Sequence, residues 1–71
     1  MTNTKLLNEF IQKSGFKKGY LAKELNVTRS GFFLKLNNKN EFKASEIKKL
    51  CTLLDINIED MQAIFFAQDG A

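Results

Sequence analysis

The sequence predicts one all-α domain, a compact bundle of five short helices. Apolar residues recur at three- and four-residue intervals along the chain, and no segment alternates as a strand would. The apolar segments are separated by breaks of only a few residues (SG, N, NNKN, DIN), which leaves no linker between domains. The chain has 71 residues, 44% of them hydrophobic and none of them Pro, which is enough for one small core and no more.

Each helix has its own signals. Leu6, Leu7, Phe10 and Ile11 form the apolar stripe of the first, with Asn3 or Thr4 available as its cap. Ser14-Gly15 ends it, since Gly tolerates the left-handed position that follows a helix. The second helix spans about 17–25 with Leu21, Ala22 and Leu25 inward, and Asn26 breaks it. The third runs from about Thr28 to Leu36, with Val27, Phe32 and Leu36 as its core set. The polar stretch NNKNEFK reads as a loop. A fourth helix, about 45–54, buries Ile47, Leu50, Cys51 and Leu54. Asn57 and Asp60 have capping-box spacing and open a last short helix through Met61, Ile64 and Phe65. The closing AQDGA is expected to fray, so the structured core of this single domain covers about 4–66 of residues 1–71.

Composition excludes several classes of function. With no His and one Cys, zinc sites and His-based acid–base or nucleophile pairs are ruled out. There is no Gly-rich phosphate loop, and the carboxylates read as scattered surface groups. The expectation is a protein that is not an enzyme and uses no metal, cofactor or small-molecule substrate. No apolar run approaches the ~18 residues a membrane span requires, and MTNTKLLNEF lacks a signal-peptide pattern. The lone Cys51, read as a small core residue, fits a reducing cytosol.

Charge is unevenly placed. Residues 1–49 hold all eleven basic residues and four acidic ones, a net +7, whereas 50–71 hold four acidic residues and no basic one, a net −4. A basic working surface and an acidic end follow. Ten of the eleven cations are Lys, which suits phosphate or acidic-protein contact better than bidentate reading of bases.

The stretch FKKGYLAKELNVTRSGFFLKL has the internal logic of a helix-turn-helix made by the second and third helices. Two helices that cross closely need a small residue at the contact, and Ala22 supplies it. The tight turn needs a residue tolerant of positive φ, and Asn26 is the best substitute for Gly. Leu21, Leu25, Val27, Phe32 and Leu36 then lock the pair onto the bundle, and Thr28 is placed to cap the second of them.

With these features in place, residues 4–66 resemble the lambda-repressor/Cro type of phage helix-turn-helix protein. Within that group, TRSGFFLKLNNKNEFKASEIKKL resembles the small "modulator of repression" antirepressors of lactococcal temperate phages. The resemblance implies a five-helix lambda-repressor-like fold, a role in the lysis–lysogeny switch and a place in the cytoplasm of a bacterial host. The group's reading positions fall on Lys18, Thr28, Arg29, Ser30, Phe33 and Leu34, with Lys17 where a capping Ser or Thr is common. Two Lys at a helix start oppose the helix dipole and supply no capping oxygen, at a cost of about 1 kcal/mol that an arriving anion would relieve. Arg29 can fork onto a guanine or onto a partner's carboxylate. Ser30 can donate to a phosphate or a base, and Lys35 and Lys39 are expected to touch the partner's backbone.

Phe33 and Leu34 are the departures. Phe32 and Leu36 suffice for the core, so Phe33 and Leu34 are candidates for exposure, and neither can hydrogen-bond a base edge. The alternative is that they fold back against the loop around Phe42. Gly31 weakens the helix and leaves a notch where another side chain could fit. Of Phe65 and Phe66, one should close the core and leave the other as a weak homodimer contact.

Two readings result. In the first, Lys17, Lys18, Arg29, Phe33 and Leu34 dock onto the DNA-binding domain of the lysogenic repressor and block operator binding. In the second, the protein is a Cro-like repressor on double-stranded operator DNA, with Lys17, Lys18, Lys35 and Lys39 on phosphates and Thr28, Arg29 and Ser30 on bases.

Overall fold

The computed structural model describes residues 1–66. These form five α-helices, α1 (Thr4–Ser14), α2 (Lys18–Glu24), α3 (Arg29–Leu36), α4 (Ala44–Leu53) and α5 (Ile58–Phe65), and no strand occurs among the described residues. The expected fraying of AQDGA lies outside them.

Most helix ends are set by the residues the sequence marks. Asn3 accepts the Leu6 N–H at 3.1 Å, Thr28 the Gly31 N–H at 2.9 Å and Asn57 the Asp60 N–H at 2.8 Å, so α1, α3 and α5 each start on a side-chain cap. Gly15 follows α1 at φ 77°, and Asn26 turns the chain between α2 and α3 at φ 64°. Asn38 and Asp55 make the same left-handed reversals after α3 and α4.

The core is one cluster fed by every helix. Leu7 and Ile11 enter from α1, Leu21 and Ala22 from α2, Phe32 and Leu36 from α3, Leu50 from α4, and Ile64 and Phe65 from α5. Ala22 is almost wholly buried where α2 packs on α3, as a close crossing requires. Cys51 and Ile47 are half-buried at the edge of this cluster rather than inside it. Phe42, in the loop before α4, is buried as well. Its ring lies edge-on to Phe32 at 6.1 Å and to Phe65 at 5.5 Å, which draws α3, the loop and α5 together. Phe65 closes the core and Phe66 is left outside, 58% exposed.

Two residues depart from the sequence-based reading. Lys35, expected at the surface to meet a partner, is only 8% exposed, and Glu46, expected to be a solvated carboxylate, only 6%. They form a buried ion pair in which Lys35 Nζ donates to both Glu46 oxygens, at 2.5 and 2.6 Å. The reason is geometric. Lys35 stands three residues after Phe32 and one before Leu36, on the inward face of α3, and only a carboxylate on α4 allows an ammonium to stay there. Lys43, the residue before α4, has no side-chain oxygen to cap with. Glu46 Oε1 reaches back instead and accepts the Lys43 N–H at 2.9 Å.

Burial pushes the Glu46 carboxyl up, but the Lys35 hydrogen bond, the Lys43 N–H and the charges of both lysines outweigh it and hold its pKa below the ordinary 4.5. A carboxyl depressed in the folded state adds stability that is full above its unfolded value and is lost as pH falls through the folded one. Stability should therefore decline below about pH 4.5, the ordinary value from which this carboxyl is lowered. Glu46→Gln keeps an acceptor for the Lys43 N–H but strands the Lys35 charge, so it should cost about 3–5 kcal/mol at neutral pH. It should also flatten the acid limb. Urea unfolding of both proteins across a pH series measures both effects, and an unchanged acid limb would exclude the pair as its source.

Candidate functional site

The residues singled out from the sequence gather where the first turn of α2 meets α3. Lys18, Gly19, Arg29, Ser30, Phe33 and Leu34 line a cleft of about 460 Å³, with the buried Phe32 and Leu36 beneath it. Phe33 is 61% exposed and Leu34 41%. Neither folds back on the loop around Phe42, which packs instead edge-to-face with Phe32 and Phe65. The outward side of α3 therefore presents an aromatic ring and a leucine one turn beyond Arg29 and Ser30, which are both exposed.

The remaining candidates divide. Lys17 is exposed at the start of α2 and makes no side-chain cap bond, and no acidic residue lies in that helix's first turn. The positive end of α2 thus faces two lysines with nothing to offset it. Thr28 is exposed, but its oxygen is engaged with the Gly31 N–H, so its first role is to start α3. Lys39 is exposed in the turn after α3 and does not line the cleft. Lys35 belongs to the core, which leaves Arg29 as the free cation of α3 among the described residues.

Gly19 and the Phe16–Tyr20 pair were not anticipated. A Cβ placed on Gly19 would come within 3.2 Å of Arg29 Nε, so the missing side chain is what lets the Arg29 guanidinium lie against α2. The sequence does contain a signal for this, a Gly early in a short helix where Ala would be the better helix former, although it cannot say what approaches. Phe16 and Tyr20 stack at 5.1 Å and are both partly exposed, extending aromatic surface along α2. Among the described residues, no three His, Cys, Asp or Glu gather as metal ligands. No helix of the described residues is long and apolar enough to cross a membrane.

This arrangement suits contact with a large partner. A single guanidinium can be directed at an acceptor, two lysines bring positive potential, and the exposed apolar side chains become favourable once water leaves them. The Lys17 and Lys18 arrangement gives up local stability to keep cations at the start of α2. Lys17→Ser should add about 0.5–1 kcal/mol by capping α2, read as a higher urea midpoint. An unchanged or lower midpoint would mean that Lys17 costs the free protein nothing.

The chain belongs to a family described as protein of unknown function (DUF739), whose model matches residues 2–68. No curated protein and no solved structure matches it.

Proposed function

We propose that the protein is a phage helix-turn-helix regulator of the lysis–lysogeny switch, with α2 and α3 as the motif. In this reading it is an antirepressor that docks onto the DNA-binding domain of the lysogenic repressor and so blocks operator binding. One observation carries the choice of a protein target: the outward face of α3 centres on exposed Phe33 and Leu34 while Lys35 is withdrawn into the core. A helix that enters the major groove works through polar side chains on base edges, with cations beside it on phosphates. This one has an apolar centre with Arg29 at one end, the composition of a protein-binding anchor. Lys17 and Lys18 would meet acidic residues of the repressor, and Phe33 with Leu34 would form the desolvated centre of the interface.

A second reading, a Cro-like repressor of transcription, is supported by the Thr28 cap. It sets Arg29 and Ser30 at the exposed start of α3, close to the lysines that open α2. The two readings separate by fluorescence anisotropy on labelled operator DNA, with this protein alone and then with it added to a preformed repressor–DNA complex. The antirepressor reading expects no tight binding alone and stoichiometric release of the repressor. Tight binding by the protein alone that weakens steeply with salt would overturn it in favour of the Cro-like reading. Phe33→Ala should leave folding stability within about 0.5 kcal/mol, since the ring is mostly in water. It should nevertheless weaken repressor release about 30-fold, the equivalent of an anchor worth about 2 kcal/mol.

A further inference from the structure

Resting on the antirepressor reading, we infer that Gly19 is a positioning residue. It seats the Arg29 guanidinium at the α2–α3 cleft, ready for a carboxylate that the repressor carries beside an apolar side chain. Nothing in α2 itself calls for a glycine at this place. Gly19 is the second residue of the helix, and among the described residues Gly15 is the glycine that needs a positive φ. Ala would serve the helix better, because Gly loses more backbone freedom on folding. Core packing does not press on the position either. The three atoms nearest a Cβ built there, α2's own backbone aside, all belong to one group: Arg29 Nε at 3.2 Å, Cζ at 3.5 Å and Nη2 at 3.6 Å. The space left by the missing side chain is therefore used by that guanidinium.

The surroundings of the guanidinium select its acceptor. Arg29 is exposed, and the one ion pair among the described residues is that of Lys35 with Glu46, so no carboxylate described here occupies it. Contact with α2 limits the side chain on one side, which reduces the rotamer freedom that binding must remove. The charged residues lining the cleft are Lys18 and Arg29, both cations, and no acidic residue lines it. Most of the remaining lining is apolar, with Phe32 and Leu36 beneath and Phe33 and Leu34 beside. A planar fork next to such a recess fits a carboxylate whose neighbour is an apolar side chain. A base edge would instead set its polar atoms against Phe33 and Leu34, which cannot hydrogen-bond them.

Arg29 is the only arginine in the chain, so a single ¹⁵N-labelled Nε–H signal reports on it in the free protein. Its heteronuclear NOE should lie near backbone values in the parent and drop toward that of a free side chain in Gly19→Ala. The urea midpoint of Gly19→Ala should be no lower than the parent's. Release of the repressor from operator DNA is then compared for Gly19→Ala, Arg29→Ala and the double variant. Gly19→Ala should weaken release about fivefold and Arg29→Ala about 30-fold. The double variant should be no weaker than Arg29→Ala alone, since without the guanidinium Gly19 has nothing to position. Losses that multiply would mean that Gly19 acts on its own account, which overturns the inference. So does an Nε–H signal as mobile in the parent as in the variant, and so does a lowered midpoint. Full release by Gly19→Ala overturns it too, and there the antirepressor reading stands because the parent still acts. A parent that releases no repressor overturns that reading and, with it, the carboxylate assigned to Arg29.

Discussion

The buried pair of Lys35 and Glu46 is the constraint on which the rest of the molecule is arranged. The pair joins α3 to α4 across the loop. Glu46 also supplies the hydrogen bond that starts α4 where Lys43 has no oxygen to give. The Lys35 ammonium lies 6.0 Å from the centre of the Phe42 ring, and that ring bridges Phe32 and Phe65. One polar contact and three aromatic rings thus link α3, the loop, α4 and α5. In an apolar setting such a pair is a matter of register more than of net stability, since an ammonium with no carboxylate opposite it could not stay inside.

The pair also shapes the surface. By turning inward, Lys35 removes a cation from the outward face of α3, whose positions are left to Arg29, Ser30, Phe33 and Leu34. The positive potential of the face then comes mainly from α2, where Lys17 and Lys18 stand at a helix start that has no acidic residue in its first turn. Gly19 makes room for the Arg29 guanidinium beside them. The candidate site is thus divided between helices, with charge on α2 and apolar surface on α3, and their close crossing at Ala22 turns the two into one face.

The residues before α1 are held at two points, one by a backbone bond and one by a side-chain amide. The Asn3 N–H donates to the Ile64 carbonyl at 2.6 Å, which ties the start of α1 to α5. Asn38, in its left-handed turn, accepts the Thr2 N–H and donates to the Thr2 carbonyl, both at 3.0 Å. The turn after α3 is thereby fastened to the residues before α1. Asn is suited to both tasks, since it tolerates positive φ and its amide both donates and accepts.

Much of the fold was legible in the residues themselves. Caps at Asn3, Thr28 and Asn57, the reversals at Gly15 and Asn26, and apolar spacing along each helix are local properties, and local geometry decides them; the five helices fall within a residue or so of where these signals put them. The same spacing marked Phe32 and Leu36 as inward and left Phe33 and Leu34 over, which is why the apolar centre of the candidate face could be named beforehand. Lys35 reads as a surface cation by its charge although its position three residues from Phe32 points inward, and the carboxylate that resolves the conflict lies eleven residues away on another helix. In the sequence Phe42 belongs to a polar stretch that reads as a loop, and nothing near Gly19 in the chain says what approaches it. Helix content and helix ends follow from each residue and its near neighbours, so the sequence by itself determined them. Which charge is buried, which ring bridges two helices and which glycine makes room for an arginine depend on partners distant in the chain, so only the tertiary structure decided them.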